Sequence, residues 1–437
     1  MKILVIDFEH AGLGLNFAIR CHDAKHDVAY WVPKLSTGKP CPVGDGLIRK
    51  IPDWKKAMDW ADLIVMTDNC AYHNETEPYF KKGYPIIGAN KESAELELDR
   101  ELGQEICKQA GIKTIPYEVF TNYDKAIKYV KETKKPYVAK PWGGTSDKSL
   151  TYVSKTPADM VFNLQQWKAA GLKGSFILQE KIEGVEIAVG GWFGPGGWNR
   201  YKNENFEEKK LMNEGLDCNT GEAGTTMHYT KKSALFDAVL KPVTNYLHKI
   251  NYVGYVDQNC IVLKDGTPMP LEFTMRFGWP HFNIAMALHE GDPAQFLLDL
   301  INGSDTLECS EDAAVGVVMA HGSYPFKGPE KLGYPVTGIT PKNYDQVHLQ
   351  SVMKGIAPVM DGDEVRDEMT MVSAGNYLLV TTGTGKTVEE ARDNVYDVTW
   401  DIDIPSNRKF RTDIGCRLED DLKELHKHGF AKGLEYK

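Results

Sequence analysis

The sequence of 437 residues predicts an α/β protein built from several units. Three observations carry that expectation. The first ~90 residues alternate short apolar runs with helical stretches, as a small parallel sheet does. A helix expected over 92–110 then opens a mixed αβ region that ends in a hairpin signal. Beyond about residue 313 the chain turns strand-rich again.

The elements follow in order. Lys2-Ile-Leu-Val-Ile6 is apolar without alternation, the pattern of a strand buried on both faces. Asp27–Val32, Asp62–Met66 and Tyr84–Ile87 read as three more strands. In the helix at 92–110, Leu98, Leu102 and Ile106 repeat every fourth residue, and Gly111 is a natural stop. A small αβ block follows, with a helix over Tyr123–Glu132 and strands at Tyr137–Ala139, Leu150–Val153, Phe176–Glu180 and Val185–Trp192. The stretch 199–224, dense in charge and asparagine, reads as a loop that closes over a substrate with Lys209 and Lys210. A helix at 233–249 leads to a hairpin, Tyr255–Leu263 with Pro268–Phe273, turned by Lys264-Asp-Gly266. Strands at Val315–Ala320 and Tyr377–Thr382 and a helix at Val388–Val398 complete the reading.

Composition narrows the function. The net charge of −10 argues against a nucleic-acid surface, which needs a basic patch to displace counterions. No apolar run reaches the ~18–20 residues of a membrane span. The first residues lack a signal peptide's apolar core and cleavage site. Eight scattered cysteines without a CxxC pair fit a reducing, cytoplasmic setting and give no zinc framework.

Two glycine motifs weigh little. Gly12-Leu-Gly14 lacks the third glycine of a dinucleotide fingerprint, because Phe17 stands there. Thr382-Gly-Thr-Gly-Lys-Thr387 lacks the leading glycine of a phosphate loop, because Val380 stands there; Thr387 is instead a natural helix N-cap. Two other segments weigh more. Lys140-Pro-Trp-Gly-Gly-Thr-Ser-Asp-Lys148 sets a small-residue turn, with Gly143 and Gly144, between two lysines. Backbone N–H groups in such a turn approach phosphate oxygens, and flanking ammonium groups neutralise them. The plain alternative is a hairpin with two solvated lysines. In Glu272-Phe-Thr-Met-Arg-Phe-Gly278, Glu272 and Thr274 share one face of a strand and Arg276 continues the row. The acid suits Mg²⁺ and the arginine suits a carboxylate. The alternative is a solvated sheet face.

Taken together, these segments resemble the glycinamide ribonucleotide synthetase (phosphoribosylamine–glycine ligase) family of the ATP-grasp superfamily. The likeness runs from about residue 84 to 416. It includes the lysine–glycine–lysine turn, Leu271–Gly278, Asn219-Thr-Gly221, Ala314–Ala320 with Gly322-Ser-Tyr-Pro325, and Arg411-Thr-Asp-Ile-Gly415. The resemblance implies an ATP-grasp fold in three units: an N-terminal α/β domain at 1–91, an ATP-grasp domain at 92–313 with a mobile lid at 112–183, and a mixed αβ domain at 314–437. It implies a cytoplasmic monomer or homodimer that uses ATP and Mg²⁺, with Mn²⁺ the alternative, to join an amino acid, glycine by preference, to an amine.

By the same resemblance, Arg100, Lys140, Gly143, Gly144 and Lys148 hold ATP phosphates, Glu180 lies beside the adenine and Glu186 binds the ribose. Glu272 and Thr274 hold the metal, with Thr274 where the family has asparagine. Asn219, Thr220, Gly221 and Arg276 bind substrate, and Arg276 and Lys148 serve catalysis. The departures gather on the acceptor side: Thr67-Asp-Asn-Cys70 replaces a Gly-Pro-Glu turn, Glu222 a glycine and Trp279 an aspartate. Three readings follow: the family's own ligation, ligation of a different amine, and a non-catalytic nucleotide-binding relative.

Overall fold

The structure, a computed structural model, describes residues 1–8, 11–69, 72–141, 151–326 and 328–437. The chain opens with the expected parallel sheet. Strands β1 (Lys2–Ile6), β2 (Asp27–Trp31), β3 (Leu63–Met66) and β4 (Ile86–Ile87) lie in the order β2-β1-β3-β4. Ile3–Ile6 and Leu63–Met66 are buried, which explains their unbroken apolar runs. Helix α1 (Leu15–Asp23) follows the Gly12–Gly14 turn. Gly12 takes φ +71°, and a Cβ there would stand 2.7 Å from the carbonyl oxygen of Gln350. The turn is structural: the Gly14 N–H donates to Asp7 Oδ2 at 2.9 Å.

Helix α2 (His73–Lys81) precedes β4. The single helix expected over 92–110 is two, α3 (Lys91–Leu98) and α4 (Arg100–Gln109). Asp99 breaks it: its backbone is extended and its carboxylate accepts from the N–H groups of Glu101 and Leu102. The break opens a new helix at Arg100 and turns that side chain toward Glu272.

A separate antiparallel sheet, β5 (Tyr117–Phe120), β6 (Tyr137–Pro141), β7 (Tyr152–Val153) and β8 (Phe176–Glu180), has the order β5-β8-β6-β7. Helices α5 (Tyr123–Thr133) and α6 (Pro157–Ala169) cover it and enclose a core of its own around Val130, Tyr137, Leu164 and Phe176. Gly143, Gly144 and Lys148 lie outside the described residues.

The largest element is an antiparallel sheet of eight strands. It contains β9 (Gly184–Gly194), β10 (Gly197–Met212), β11 (Leu216–Thr230), β12 (Gly254–Leu263) and β13 (Pro268–Thr274). The loop expected at 199–224 is therefore most of a long hairpin, β10 with β11, turned at Asn213–Gly215. Its polar residues misled the reading because they are paired inside the protein. Glu204 is buried against His228 at 2.9 Å and Ser233 at 2.6 Å. The helix expected at 233–249 breaks before Pro242 into α7 (Ala234–Val239) and α8 (Thr244–Lys249), since proline cannot donate within a helix.

Helices α9 (His281–Leu288) and α10 (Gln295–Ile301) and the short pair β14 (His289–Glu290) and β15 (Glu308–Cys309) lead to β16 (Ala313–Ala320). β16 pairs with β11, so the sheet runs on through residue 313, where the sequence suggests a boundary. The remaining strands are β17 (Leu332–Pro335), β18 (Val347–Leu349), β19 (Val352–Asp361), β20 (Glu364–Ala374) and β21 (Tyr377–Gly385). The full order is β13-β12-β9-β10-β11-β16-β21-β18, with β17-β20-β19 as a separate sheet. Thr387 caps α11 (Val388–Asp401) by accepting from the N–H of Glu390. The glycines before it let α11 pack down on β21: a Cβ at Gly383 would stand 2.3 Å from the backbone nitrogen of Val395. Helix α12 (Leu418–Lys427) closes the chain.

Candidate active site

Two cavities share one wall. The larger, about 910 Å³, lies between the β5–β8 sheet and the β9–β13 end of the large sheet. The smaller, about 740 Å³, lies beyond it toward β1, α1 and the β17–β21 region. Glu97, Gly221, Glu222, Arg276, Trp279 and Pro325 line both.

The larger cavity collects most of the residues singled out in the sequence. Arg100, Lys140, Glu180, Glu186, Asn219, Thr220, Gly221, Glu272, Thr274 and Arg276 all line it. Each is set by a simple local device. The Gly266 turn, at φ +81°, returns β13 beside β12 and pairs Glu272 with Asn259 and Thr274 with Asp257. Arg100 reaches Glu272 Oε2 at 3.2 Å from the first turn of α4. Lys140, near the end of β6, is almost wholly buried, and its ammonium donates to Gln179 Oε1 at 2.9 Å. Burial pushes that ammonium down to about 8, against the pull of Glu272. Glu180 pairs with Lys135 at 2.8 Å.

Alternation along β10 builds the rest. Asn205, Glu207 and Lys209 share a face, two residues apart. Lys209 lies 2.9 Å from Glu186 and 3.1 Å from Glu207. It is thus a fixed part of the cavity wall and not a residue of a closing loop. Burial works against its charge, and Glu207, Glu186 and Glu272 overcome it, so the ammonium is held well above its ordinary range. Glu186 is lowered despite burial, chiefly by Lys209. Asn259 donates to Glu186 at 3.0 Å and to Glu207 at 3.3 Å. Arg417, at the start of α12, pairs with Glu208 at 3.0 Å. Glu207, Gln179 and Arg417 escaped the sequence reading. The period-two pattern Asn205, Glu207, Lys209 is the signal that could have found the first.

Arg276 stands past the end of β13 on the shared wall. Its Nε lies 3.3 Å from Glu97 Oε1 and 3.4 Å from Asp68 Oδ1. Glu97 also accepts from Asn69 at 2.7 Å and from the Met275 N–H at 2.8 Å, which fixes the wall to α3 and to the turn after β3. Trp279 donates its indole N–H to the Thr67 carbonyl at 3.1 Å. Among the described residues, no three His, Cys, Asp or Glu side chains converge on one point as a preformed metal cluster.

Residues 99–282 match the family model described as phosphoribosylglycinamide synthetase, ATP-grasp (A) domain, and residues 314–417 match that of its C domain. Together the two matches take in about two thirds of the chain. The chain belongs to the phosphoribosylglycinamide synthetase family. It is an ATP-dependent ligase of the ATP-grasp class that joins a carboxylate to an amine, works on small molecules and uses a divalent cation.

Members of this family are similar over most of the chain. The chloroplastic phosphoribosylamine–glycine ligase of Arabidopsis thaliana is 26% identical over 77% of this chain, which spans 64% of that protein. The Lactococcus lactis phosphoribosylamine–glycine ligase is 25% identical over 81% of this chain and 83% of its own length. In fold, the Thermotoga maritima phosphoribosylamine–glycine ligase superposes with a TM-score of 0.70 at 20% identity, covering 95% of this chain and all of that one. The ATP-grasp architecture expected from the sequence is thus the fold observed. No helix among the described residues is long and apolar enough to cross a membrane.

Proposed function

We propose that this synthetase-family chain binds Mg-ATP in the larger cavity and ligates glycine to phosphoribosylamine across the shared wall. One observation carries the reading. The larger cavity gathers Arg100, Lys140 and Lys209 around Glu272, and the smaller cavity meets it at Arg276. A nucleotide phosphate chain and a carboxylate acceptor need that adjacency.

In this reading Lys140 and Arg100 spread the charge of the transferring phosphoryl group, and Lys148, outside the described residues, is assigned the same role. Glu186 takes the ribose hydroxyls, Glu180 lies at the adenine edge, and Arg276 orients the amino-acid carboxylate. Asn219, Thr220 and Gly221 line the acceptor's path. Glu272, with Thr274 beside it, would hold the magnesium ion, a carboxylate and a hydroxyl being oxygen donors suited to it. That ion, or Mn²⁺ in its place, would neutralise phosphate charge. The carboxylate attacks the γ-phosphorus to give an acyl phosphate, and the amine displaces phosphate from it. Water would destroy that intermediate, and the 112–183 unit serves as the lid that excludes it. Residues 1–91 supply the floor of the smaller cavity, and 314–437 its far side.

A second reading, ligation of a different amine, is favoured by the smaller cavity's lining. Asp68, Glu97, Glu222 and Glu330 face it against Arg276 alone among the described cations. A phosphorylated acceptor is better served by a surplus of cations. Phosphate release from ATP separates the readings. Release that requires both glycine and phosphoribosylamine supports the first. Release with glycine and another amine, but not phosphoribosylamine, supports the second. No release with any pair of substrates sinks both.

A further inference from the structure

Glu222 occupies an unusual place in this fold. Strand β11 carries it through the wall shared by the two cavities, so that one carboxyl faces both. Its side chain is buried, with 5% of the residue exposed. Oε1 has no hydrogen-bond partner among the described residues. A buried carboxyl oxygen without a donor costs on the order of 1–3 kcal/mol, which a donor-bearing ligand removes. Beside it, the hydroxyl of Tyr377 is also buried and without a partner among the described residues.

Charged and titratable groups face Glu222 from every side. Glu207 and Lys209 come from β10, Asp257 from β12, Arg276 from the segment after β13, Tyr324 from the turn after β16 and Tyr377 from β21. Burial, then Glu207, raise its carboxyl well above the ordinary range; Lys209 and Arg276 act the other way. Asp257, pushed up to about 7 by burial and Glu207, adds to the acid character of this floor. A cation arriving in the smaller cavity therefore meets an acceptor oxygen with no competing donor among the described residues.

We propose that Glu222 is the general base that takes a proton from the incoming amine. The assignment rests on the second ligase reading above, with an amine other than phosphoribosylamine as acceptor. Alkylamines, like the lysine side chain, reach an enzyme near neutral pH largely as ammonium ions, with no lone pair to attack. Glu222 accepts one proton from R–NH3⁺ and becomes the neutral acid. The freed nitrogen forms the C–N bond to the acyl carbon, and the C–O bond to phosphate breaks. The second nitrogen proton leaves with the phosphate as HPO4²⁻, and Glu222 then returns its proton to water. Its position on the shared wall, beside Arg276, puts the base where acyl carbon and amine meet.

The test compares two nucleophiles on the full chain with ATP, Mg²⁺ and glycine. An alkylamine acceptor, charged at neutral pH, reports ligation, and hydroxylamine, uncharged at neutral pH, traps the acyl phosphate as a hydroxamate. Glu222→Gln should lower amide formation about 100-fold, the usual scale for a general base. Hydroxamate formation and the KM for ATP should stay within about threefold. The acid limb of the wild-type pH profile should vanish in Glu222→Gln and return in Glu222→Asp. An equal loss with both nucleophiles, or no loss with either, overturns the assignment. Should the glutamine variant not fold, the wild-type profile decides: a kcat/KM for the amine that stays level down to the ordinary carboxylate range excludes Glu222 as the base. Wild-type protein that makes no hydroxamate overturns the ligase reading first, and this assignment with it.

Discussion

The two cavities differ in how they treat charge. In the larger, eight acidic and eight basic described residues line the walls, and most stand in short ion pairs: Arg100 with Glu272, Lys209 with Glu186 and Glu207, Arg417 with Glu208. In the smaller, four acids face one arginine among the described residues, and that arginine is already held by Glu97 and Asp68. The first is a balanced network that a polyanion with its own cation can enter by exchanging partners. The second is an acid basin that favours a positively charged visitor. A ligase that phosphorylates a carboxylate with ATP and passes the acyl group to a cationic amine is served by that contrast across a single wall.

The contrast breaks most completely at Glu272. Glu272→Ala should lower ATP-dependent turnover by about 10³-fold, near 4 kcal/mol in the barrier, the upper range for losing one preorganised electrostatic partner. It removes the carboxylate assigned to the metal and also leaves Arg100 without its 3.2 Å partner. Steady-state ADP release measures the loss, and circular dichroism checks that the fold remains. Unchanged kinetics would refute the metal assignment.

Lys140 comes next. Lys140→Met should weaken ATP binding by about 1–3 kcal/mol by calorimetry, the scale for a charged hydrogen-bond partner, and Lys148→Ala should match it. Because burial pushes Lys140 down to about 8, its charge is lost as pH rises through that value. Wild-type ATP affinity should fall above about pH 8, and the methionine variant should lose that dependence. Stability should move the opposite way. From about 8 to the ordinary 10.5 the folded state holds fewer protons at this lysine than the unfolded chain, so its share of stability rises with pH. Equal pH slopes of ATP affinity in wild type and variant would remove Lys140 from the phosphate site.

Part of the larger cavity was legible because its geometry is local, while Arg100, Glu180, Glu186, Asn219, Thr220 and Gly221 were legible only through the family resemblance. Two residues on one strand face one side, so Glu272 and Thr274 could be paired from spacing alone, and the Lys264–Gly266 turn fixed their hairpin. The parallel opening sheet was legible for a related reason, since strands buried on both faces read as unbroken apolar runs. The β10–β11 hairpin was not. Its strands carry Asn203, Glu204 and Asn205 buried in place of apolar residues, and composition alone reads such a run as a solvated loop. The partners that pay for that burial, His228, Ser233 and Asp257, lie 24 to 52 residues away. The break at Asp99 hid for another reason: leucine periodicity ran through it, while a capping carboxylate ended one helix and began the next. The smaller cavity was the least legible. It draws together residues from about 11 to 377, and only the fold brings Asp68, Glu222 and Tyr377 to one wall.

The smallest effect falls at Tyr377, and it sharpens the comparison most finely. Its hydroxyl is buried with no partner among the described residues, whereas its ring packs on Tyr324 at 5.6 Å between centroids. Tyr377→Phe keeps the ring and deletes an unsatisfied polar group. In the empty protein that change should be neutral or stabilising by up to about 1 kcal/mol, because the hydroxyl forgoes water without gaining a partner. If the hydroxyl waits for the acceptor, the same variant should raise the KM for the amine by about 3–10-fold, with the KM for ATP unchanged. A rise in melting temperature joined to a weaker amine KM marks a group held for a ligand. A loss of stability with no change in KM would instead place an internal partner on that oxygen and remove Tyr377 from the acceptor's wall.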